Sequence, residues 1–154
     1  DRVPATPLKH SDGSPTMPTG ADNEIWSFGD EHTPILEKFI RFRETMRPYI
    51  RELMKEAHEE GRPVIRPMFY EFPEEKRCWE LQDQYMFGGD VLVAPIVYEN
   101  TCEREVYLPQ GAEWTLISDG TKYEGGRTVK VSADISQIPV FLRDGRHTDW
   151  VGCI

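Results

Sequence analysis

The chain has 154 residues, of which 38% are hydrophobic and 29% are charged, and its formal net charge is -9. This size fits one ordinary domain or two small units, and the acidic balance argues against a basic surface that binds nucleic acid. No apolar run reaches the ~18 residues of a membrane-spanning helix, and no basic start followed by an apolar stretch indicates a signal peptide. We therefore expect a globular, cytoplasmic protein that does not enter a membrane.

The first 23 residues predict a loop. They contain prolines at four positions, together with glycine, serine, threonine and aspartate, and no apolar period. Such composition breaks both helices and strands. A domain seldom begins with so long an irregular stretch, so the pattern favours either a tail or a long loop of a larger body.

A helical pattern follows from Thr33. Pro34 suits the first helical position with Thr33 as the N-cap, and Gly61 is a fitting end. Pro48 predicts a kink or break near Arg47 because proline cannot donate to the helix ladder. Apolar residues recur at steps of three and four, and so share one face: Ile35, Phe39, Phe42, Met46, Ile50, Leu53 and Ala57.

This apolar face needs a partner surface, because the sequence offers no second helix of comparable length to cover it. The cover has to come from the rest of the chain or from a body outside it. If the face through Phe39, Met46 and Leu53 is exposed, it favours association between copies of the chain. The pattern therefore predicts self-association through the helix face.

The second half of the chain predicts strands. Trp79 to Phe87 is interpreted as a short helix that ends at Gly88-Gly89, after which the helical period disappears. Five β segments follow, including a hairpin around Asp119-Gly120: 91–97, 104–109, 113–126, 127–134 and 137–145. Close spacing of short strands is typical of an antiparallel sandwich or sheet, so we expect a change from helical to β structure near residue 90.

Three carboxylates in the stretch "RPVIRPMFYEFPEE" (62–75) are candidates for acid and base chemistry: Glu71, Glu74 and Glu75. Glu74 and Glu75 stand between Pro73 and a pair of basic residues, a pattern typical of a solvated turn or of a first helical turn. Glu71 has apolar neighbours on both sides, and a buried ion pair with a nearby arginine is its expected use. Arg66 in the same stretch is also expected to be a satisfied polar group.

Metal, redox and cofactor chemistry find little support in the sequence. The four histidines stand far apart, outside any paired ligand motif: His10, His32, His58 and His147. The three cysteines form no CxxC pair and are expected to be reduced thiols: Cys78, Cys102 and Cys153. We predict no metal site and no cofactor.

Four aromatic residues are candidates for stacking on sugar rings, although aromatic residues in small β domains also belong to cores and edges. They are Trp26, Trp79, Trp114 and Tyr123. The sequence alone leaves both interpretations open for each of them.

Six blocks occur in a fixed order along the chain: "EIWSFGDE" (24–31), "RFRETMRPYI" (41–50), "GRPVIRPMFYEFPEE" (61–75), "DQYMFGGDVLVAPIV" (83–97), "REVYLPQGAEWT" (104–115) and "IPVFLRDG" (138–145). Together they resemble the C-terminal third of glycoside hydrolase family 31, the α-glucosidase and α-xylosidase family. The resemblance implies an α+β fragment: the last helical part of a (β/α)8 barrel followed by an antiparallel β-sandwich, the proximal C-terminal domain. On this basis residues 1–60 end the catalytic barrel, 61–90 form a bridge, and 91–154 form an incomplete sandwich.

The resemblance also implies a retaining mechanism that uses two carboxylates. The nucleophile of the family lies in a Trp-x-Asp-Met-Asn-Glu type motif, which this chain lacks, and its acid/base Asp also lies upstream. We therefore assign no catalytic residue. The family has an Arg-x-His motif whose His contacts the sugar, and His10 occupies that place here, with Leu8 where the family has Arg. His10 is the predicted substrate-binding residue.

Two hypotheses result. The first is a fragment of a retaining α-glycosidase that hydrolyses terminal α-linked glucose or xylose in an oligosaccharide or glycoside, and that is inactive alone because its catalytic Asp residues lie upstream. The second is a stand-alone carbohydrate-binding or structural β-sandwich module that uses exposed aromatic residues such as Trp114. The segment "RHTDWVGCI" (146–154) departs from the family, which continues with another apolar strand.

Overall fold

The structure, a computed structural model, describes residues 24–99 and 101–154. The chain divides into two compact units after Ile40. Within the described ranges the α-helices are α1 (Thr33–Thr45), α2 (Arg47–Glu60) and α3 (Met68–Glu71). The strands are β1 (Ile65–Pro67), β2 (Tyr85–Phe87), β3 (Val91–Val93), β4 (Glu103–Leu108), β5 (Glu113–Leu116), β6 (Lys122–Glu124), β7 (Arg127–Ser132) and β8 (Val140–Arg143). Short 3₁₀ turns span Ile25–Phe28, Lys76–Trp79 and Thr148–Trp150.

The predicted break in the helical segment is confirmed, since α1 ends at Thr45 and α2 begins at Arg47. Pro48 lies in the first turn of α2, where its missing N–H removes no helical hydrogen bond. Gly61 ends α2 in the left-handed conformation, with a φ of 70° that suits glycine. Thr33, predicted as the N-cap, is instead the first residue of α1, and its hydroxyl donates to the carbonyl oxygen of Gly29 at 2.9 Å.

The strands form two antiparallel sheets. One sheet has six strands in the order β1-β2-β3-β8-β5-β6, and the other pairs β4 with β7 over six residues of each strand. Apolar residues of both sheets meet in one core around the fully buried Trp114 and Phe141. Two sheets that enclose a common core confirm the predicted antiparallel sandwich.

The predicted helix from Trp79 to Phe87 is wrong. Its second part is β2, whose Met86 pairs with Arg66 on one side and with Leu92 on the other. Burial alternates along this segment: Gln84 and Met86 are buried, whereas their neighbours in the sequence are half-buried. This period of two is that of a strand.

The sheet draws strands from both sides of residue 90. β1 and β2 lie inside the segment 61–90 that was expected to be a bridge, so β structure begins well before the predicted change of class. The predicted strand 91–97 is shorter than expected and ends at Val93. Pro95 explains the early end, because proline has no N–H to donate to a neighbouring strand.

The C-terminal segment covers part of the apolar helix face. Trp150 is 4% exposed, and its ring meets the rings of Phe42 and Tyr49 edge-on, each with a centroid distance of 5.8 Å. Leu53 of α2 is 2% exposed and lies beside Gly88, next to the end of β2. Part of the helix face is therefore covered from within the chain, which is one of the two sources that the sequence pattern left open. None of the described helices is long and apolar enough to span a bilayer.

Candidate functional site

Arg66 is the centre of a buried polar cluster at the junction between α2 and the sheet. It is the middle residue of β1, and the alternation of the strand turns it inward, so that only 3% of it is exposed. Its Nη1 donates to Oε1 of Glu71 at 2.5 Å, its Nη2 donates to Oε2 of Glu56 at 3.0 Å, and its Nε donates to the carbonyl oxygen of Pro63 at 2.7 Å. The buried ion pair predicted for Glu71 is confirmed.

The charge of Arg66 is secured by its partners. Burial is the largest single influence and lowers its pKa, but the hydrogen bonds and negative charges of Glu71 and Glu56 together outweigh burial and raise its pKa above the ordinary value. The guanidinium therefore stays charged, and it keeps Glu71 engaged as an acceptor. A carboxylate held in this way is a structural partner rather than a proton donor for catalysis.

A polar cleft of about 420 Å³ opens beside this cluster. Its lining mixes arginines and carboxylates, and its arginines have carboxylate partners: Arg66 with Glu71, Arg146 with Asp90 at 2.6 Å, Arg143 with Asp144 at 3.4 Å, and Arg62 with Glu60 at 3.0 Å. Each of the four arginines that line the cleft is therefore engaged by a carboxylate.

Tyr49 closes one side of the cleft. Its hydroxyl donates to the carbonyl oxygen of Phe87 at 3.0 Å and accepts from the backbone N–H of Asp90 at 3.3 Å. Burial and then the charge of Asp90 raise the pKa of Tyr49 well above its ordinary value. Gly88 makes this approach possible, because a Cβ at that position would lie 2.1 Å from the Tyr49 hydroxyl oxygen and its φ is +62°.

Asp90 also anchors the C-terminal segment. One of its carboxylate oxygens accepts from Arg146, and the other lies 3.1 Å from Nε2 of His147. The His147 ring stacks on Trp150 with a centroid distance of 4.1 Å. This histidine therefore has a packing role against α2.

The two acids at the end of the stretch 62–75 have different surroundings. Glu74 is exposed, in keeping with a solvated turn, but the same interpretation of Glu75 is wrong. Glu75 accepts from the Tyr107 hydroxyl at 2.7 Å and from the backbone N–H of Gln110 at 2.8 Å, which ties the turn to β4. Burial and then this hydrogen bond raise the pKa of Tyr107 to about 12.

The four aromatic candidates separate into buried and exposed residues. Trp114 is fully buried, and its Nε1 donates to the carbonyl oxygen of Pro109 at 3.0 Å, so it cannot stack on a sugar. Tyr123 is half-buried, with its ring edge-on to Phe141. Trp26 and Trp79 are 71% and 59% exposed, and so are open to a ligand. The periodicity of the sequence does not distinguish the buried aromatic residues from the exposed ones.

The remaining candidate residues are the histidines and the cysteines. His10, the predicted substrate-binding residue, lies outside the described residues. Among residues 24–99 and 101–154, histidine, cysteine and carboxylate side chains form no group of three or more that could hold a metal ion. The three cysteines are free thiols, as predicted, and burial followed by the charge of Glu75 raises the pKa of Cys78 to about 11.

Residues 61–146 match the family described as the glycosyl hydrolase family 31 C-terminal domain. This match covers more than half of the chain, and the chain belongs to glycoside hydrolase family 31. The recognised family, the antiparallel sandwich and the buried arginine cluster thus occupy the same part of the sequence.

Known proteins place this domain within larger enzymes. The chain is 38% identical to alpha-glucosidase 2 of Bacillus thermoamyloliquefaciens over 79% of its own length and 15% of that protein. A family 31 alpha-xylosidase from a soil metagenome, solved with xylose, matches 96% of this chain and 22% of its own with a TM-score of 0.85 and 38% identity. A dextranase of Flavobacterium johnsoniae, solved with isomaltotriose, matches 82% of this chain and 16% of its own chain, with a TM-score of 0.79 and 36% identity.

Proposed function

We propose that this chain is the C-terminal part of a retaining α-glycosidase that hydrolyses terminal α-linked glucose or xylose. The observation that carries the proposal is the match to the soil α-xylosidase, which extends over 96% of the chain at 38% identity. The chain spans between about 15% and 22% of the length of the relatives described above. The activity therefore belongs to a larger protein.

We assign the chain's segments to that larger protein as follows. Residues 1–60 end the catalytic barrel, residues 61–90 lead from the barrel into the sandwich and supply its strands β1 and β2, and residues 91–154 supply the rest of the proximal C-terminal sandwich. His10 contacts the sugar, and the nucleophile and the acid/base come from upstream barrel strands. The chain alone is inactive, which agrees with the engagement of Glu71 and Glu75 in structural hydrogen bonds.

Two proteins test this proposal: the 154-residue chain and a longer product of the same coding region that includes the upstream barrel. We expect the longer protein to release the chromophore from 4-nitrophenyl α-glucoside or α-xyloside, and the ratio of the two rates gives its specificity. The short chain should release none above the buffer rate. Failure of the longer protein to cleave either substrate would overturn the proposed activity.

His10 is tested in the longer protein. His10→Ala should lower kcat/KM about tenfold or more, since the side chain is proposed to contact sugar and a lost polar contact of that kind costs about 1–3 kcal/mol. His58→Ala is the matched control, because His58 is an exposed residue near the end of α2. Equal effects of the two substitutions would remove His10 from the site.

Self-association through the helix face is proposed in a narrower form. Leu53 is covered, so the contact would have to use the half-buried Met46 and neighbouring exposed residues such as Met54, which is 59% exposed. Light scattering over a range of protein concentrations tests this, and a mass that stays monomeric at every concentration would contradict it.

A stand-alone carbohydrate-binding or structural β-sandwich module is the second candidate function. The observation that favours carbohydrate binding is the exposure of Trp79, which is 59% exposed. Trp114, which the sequence offers as a carbohydrate-binding residue, is buried in the core. Saturable binding of maltose by the short chain, with no hydrolysis by the longer protein, would favour this second candidate.

A further inference from the structure

Two exposed aromatic rings stack on each other on the turn that leads from α3 toward β2. Phe69 lies in α3 and Trp79 ends the 3₁₀ turn Lys76–Trp79. Their ring centroids are 4.7 Å apart and their planes differ by 15°. Phe69 is 37% exposed and Trp79 is 59% exposed. We name these two rings the aromatic platform.

The platform is held in place. Nε1 of Trp79 donates to the carbonyl oxygen of Pro73 at 2.9 Å, which fixes the direction of the indole, and Phe69 supports one ring face. Because Trp79 remains 59% exposed despite that support, the opposite face of the indole is open to solvent. A ligand that stacks on a ring already held in place loses little free energy to side-chain ordering.

We propose that the aromatic platform binds one pyranose ring of an α-linked gluco- or xylo-oligosaccharide. A pyranose presents an apolar face of C–H groups and a rim of hydroxyls. Stacked on the open face of Trp79, it would bury apolar surface on both sides while its hydroxyls stay hydrated or bonded to neighbouring polar groups. The choice of sugar rests on the proposed function, whereas the site itself rests on the geometry of the two rings.

The size of the apolar surface favours a sugar over a protein partner. Aromatic side chains bury about 150–250 Å² each. Phe69 and Trp79 therefore offer roughly 200 Å² at their observed exposures. A stable protein interface needs about 800 Å² per partner. The platform is too small for that, but it matches one or two sugar rings.

The charges on the same turn support this choice. Glu74, Lys76 and Glu80 are exposed on the turn that carries Trp79. A protein or lipid surface pressed onto the platform would strip water from charged groups, which is costly without partners. A neutral sugar leaves them hydrated, and its hydroxyls can both donate to the carboxylates and accept from the ammonium group.

The test follows the indole Nε1–H signals of the full 154-residue chain by NMR while isomaltotriose is added, with xylose and inorganic phosphate in separate titrations. The Trp79 signal is identified by its loss in Trp79→Ala. We expect this signal to shift saturably with isomaltotriose and to stay unchanged with phosphate. Isothermal titration calorimetry with isomaltotriose gives the affinity of the variants, since it does not need the Trp79 signal. Trp79→Ala and Phe69→Ala should each weaken binding about tenfold, and Trp79→Tyr should restore part of it.

Trp26→Ala is the matched control, because Trp26 is a tryptophan of at least equal exposure. It should leave the affinity unchanged. A saturable shift confined to the Trp26 signal, the absence of any saturable shift, or a Trp79→Ala chain that binds as well as the parent would each overturn the platform.

A second outcome concerns partners other than sugars. If the chain forms a dimer that Trp79→Ala abolishes, the rings serve contact between copies, and the sugar proposal is overturned. The platform and the proposed function fail separately. Hydrolysis by the longer protein without binding at Trp79 removes only the platform, whereas binding at Trp79 without hydrolysis removes only the enzymatic proposal.

Discussion

Arg66 and Trp114 are both buried, but different interactions hold them in place. Trp114 packs among apolar residues of both sheets, with one hydrogen bond from its indole nitrogen to Pro109. Arg66 is enclosed by two carboxylates and a carbonyl oxygen. One segment connects the two regions, because Phe72 contacts the Trp114 ring while Glu71 turns to Arg66. The Arg66–Glu71 and Arg66–Glu56 pairs in this region therefore join a helix to a sheet.

The apolar region should respond most strongly to truncation. Trp114→Ala removes a fully buried indole and should lower the free energy of unfolding by about 4 kcal/mol, since large core truncations leave a cavity. Urea unfolding followed by circular dichroism measures this loss. Trp26→Ala, at an exposed position, should change stability by less than about 0.5 kcal/mol. Similar losses for the two variants would contradict the burial of Trp114.

Truncation in the polar region around Arg66 should lower the free energy of unfolding somewhat less. Arg66→Ala leaves Glu71 and Glu56 without their cation, and we expect a loss of about 3 kcal/mol because both carboxylates are partly open to water. The same urea experiment gives the value. Arg66→Met combined with Glu71→Leu removes both charges of the buried pair and should recover most of the stability. A double variant as unstable as Arg66→Ala would show that the charges themselves are required.

Sequence reasoning succeeded where the signal was local. A glutamate inside an apolar stretch was enough to predict a buried ion pair between Glu71 and a nearby arginine, which the structure identifies as Arg66. Pro48 was enough to predict the break between α1 and α2. Alternating strands such as β4 and β7, and the hairpin around Asp119-Gly120, were also predicted correctly.

The predictions that were wrong concern residues whose contacts are distant in the sequence. β2 was mistaken for a helix because Trp79, Gln82 and Met86 happen to be spaced as on a helix, while the strands that pair with it lie on either side in the sheet. Glu75 was predicted to be solvated because its acceptor role involves Tyr107 and Gln110, 32 and 35 residues away. The burial of Trp114 likewise follows from the packing of two sheets, which no local pattern encodes.

The C-terminal cover on α2 should have an intermediate effect. Trp150→Ala uncovers Phe42 and Tyr49, and we expect a loss of about 2 kcal/mol, below that of a central core residue because a terminal segment relaxes more easily. The exposed rings should also promote association between copies. Light scattering at increasing protein concentration detects this. A variant that stays monomeric and fully stable would contradict the covering role.

Alkaline pH should produce the smallest and most gradual effect. The pKa of Cys78 is raised from 9.0 to about 11 and that of Tyr107 from 10.0 to about 12. Both groups are favoured in their neutral form by folding, so their contribution is complete below about pH 9 and is lost as the pH rises toward about 12. The midpoint of urea unfolding should fall as the pH rises across this range.

Two tyrosine variants make the alkaline prediction specific. Tyr107→Phe should flatten the pH dependence between about pH 10 and about pH 12, because the ionisable hydroxyl is gone. Tyr98→Phe, at a residue that is 74% exposed, should leave the profile unchanged. A Tyr107→Phe profile identical to that of the parent would assign the pH dependence to other groups.

We propose that Glu71 and Glu75 have structural roles and carry no chemistry, Glu71 at the junction between α2 and the sheet and Glu75 between the turn and β4. The most direct measurement is the hydrolysis of 4-nitrophenyl α-glucoside and α-xyloside by the purified 154-residue chain, together with its Glu71→Gln variant. We predict no release above the buffer rate for either protein, and a lower unfolding midpoint for the variant. Turnover that scales with the concentration of the parent chain and disappears in Glu71→Gln would contradict the claim.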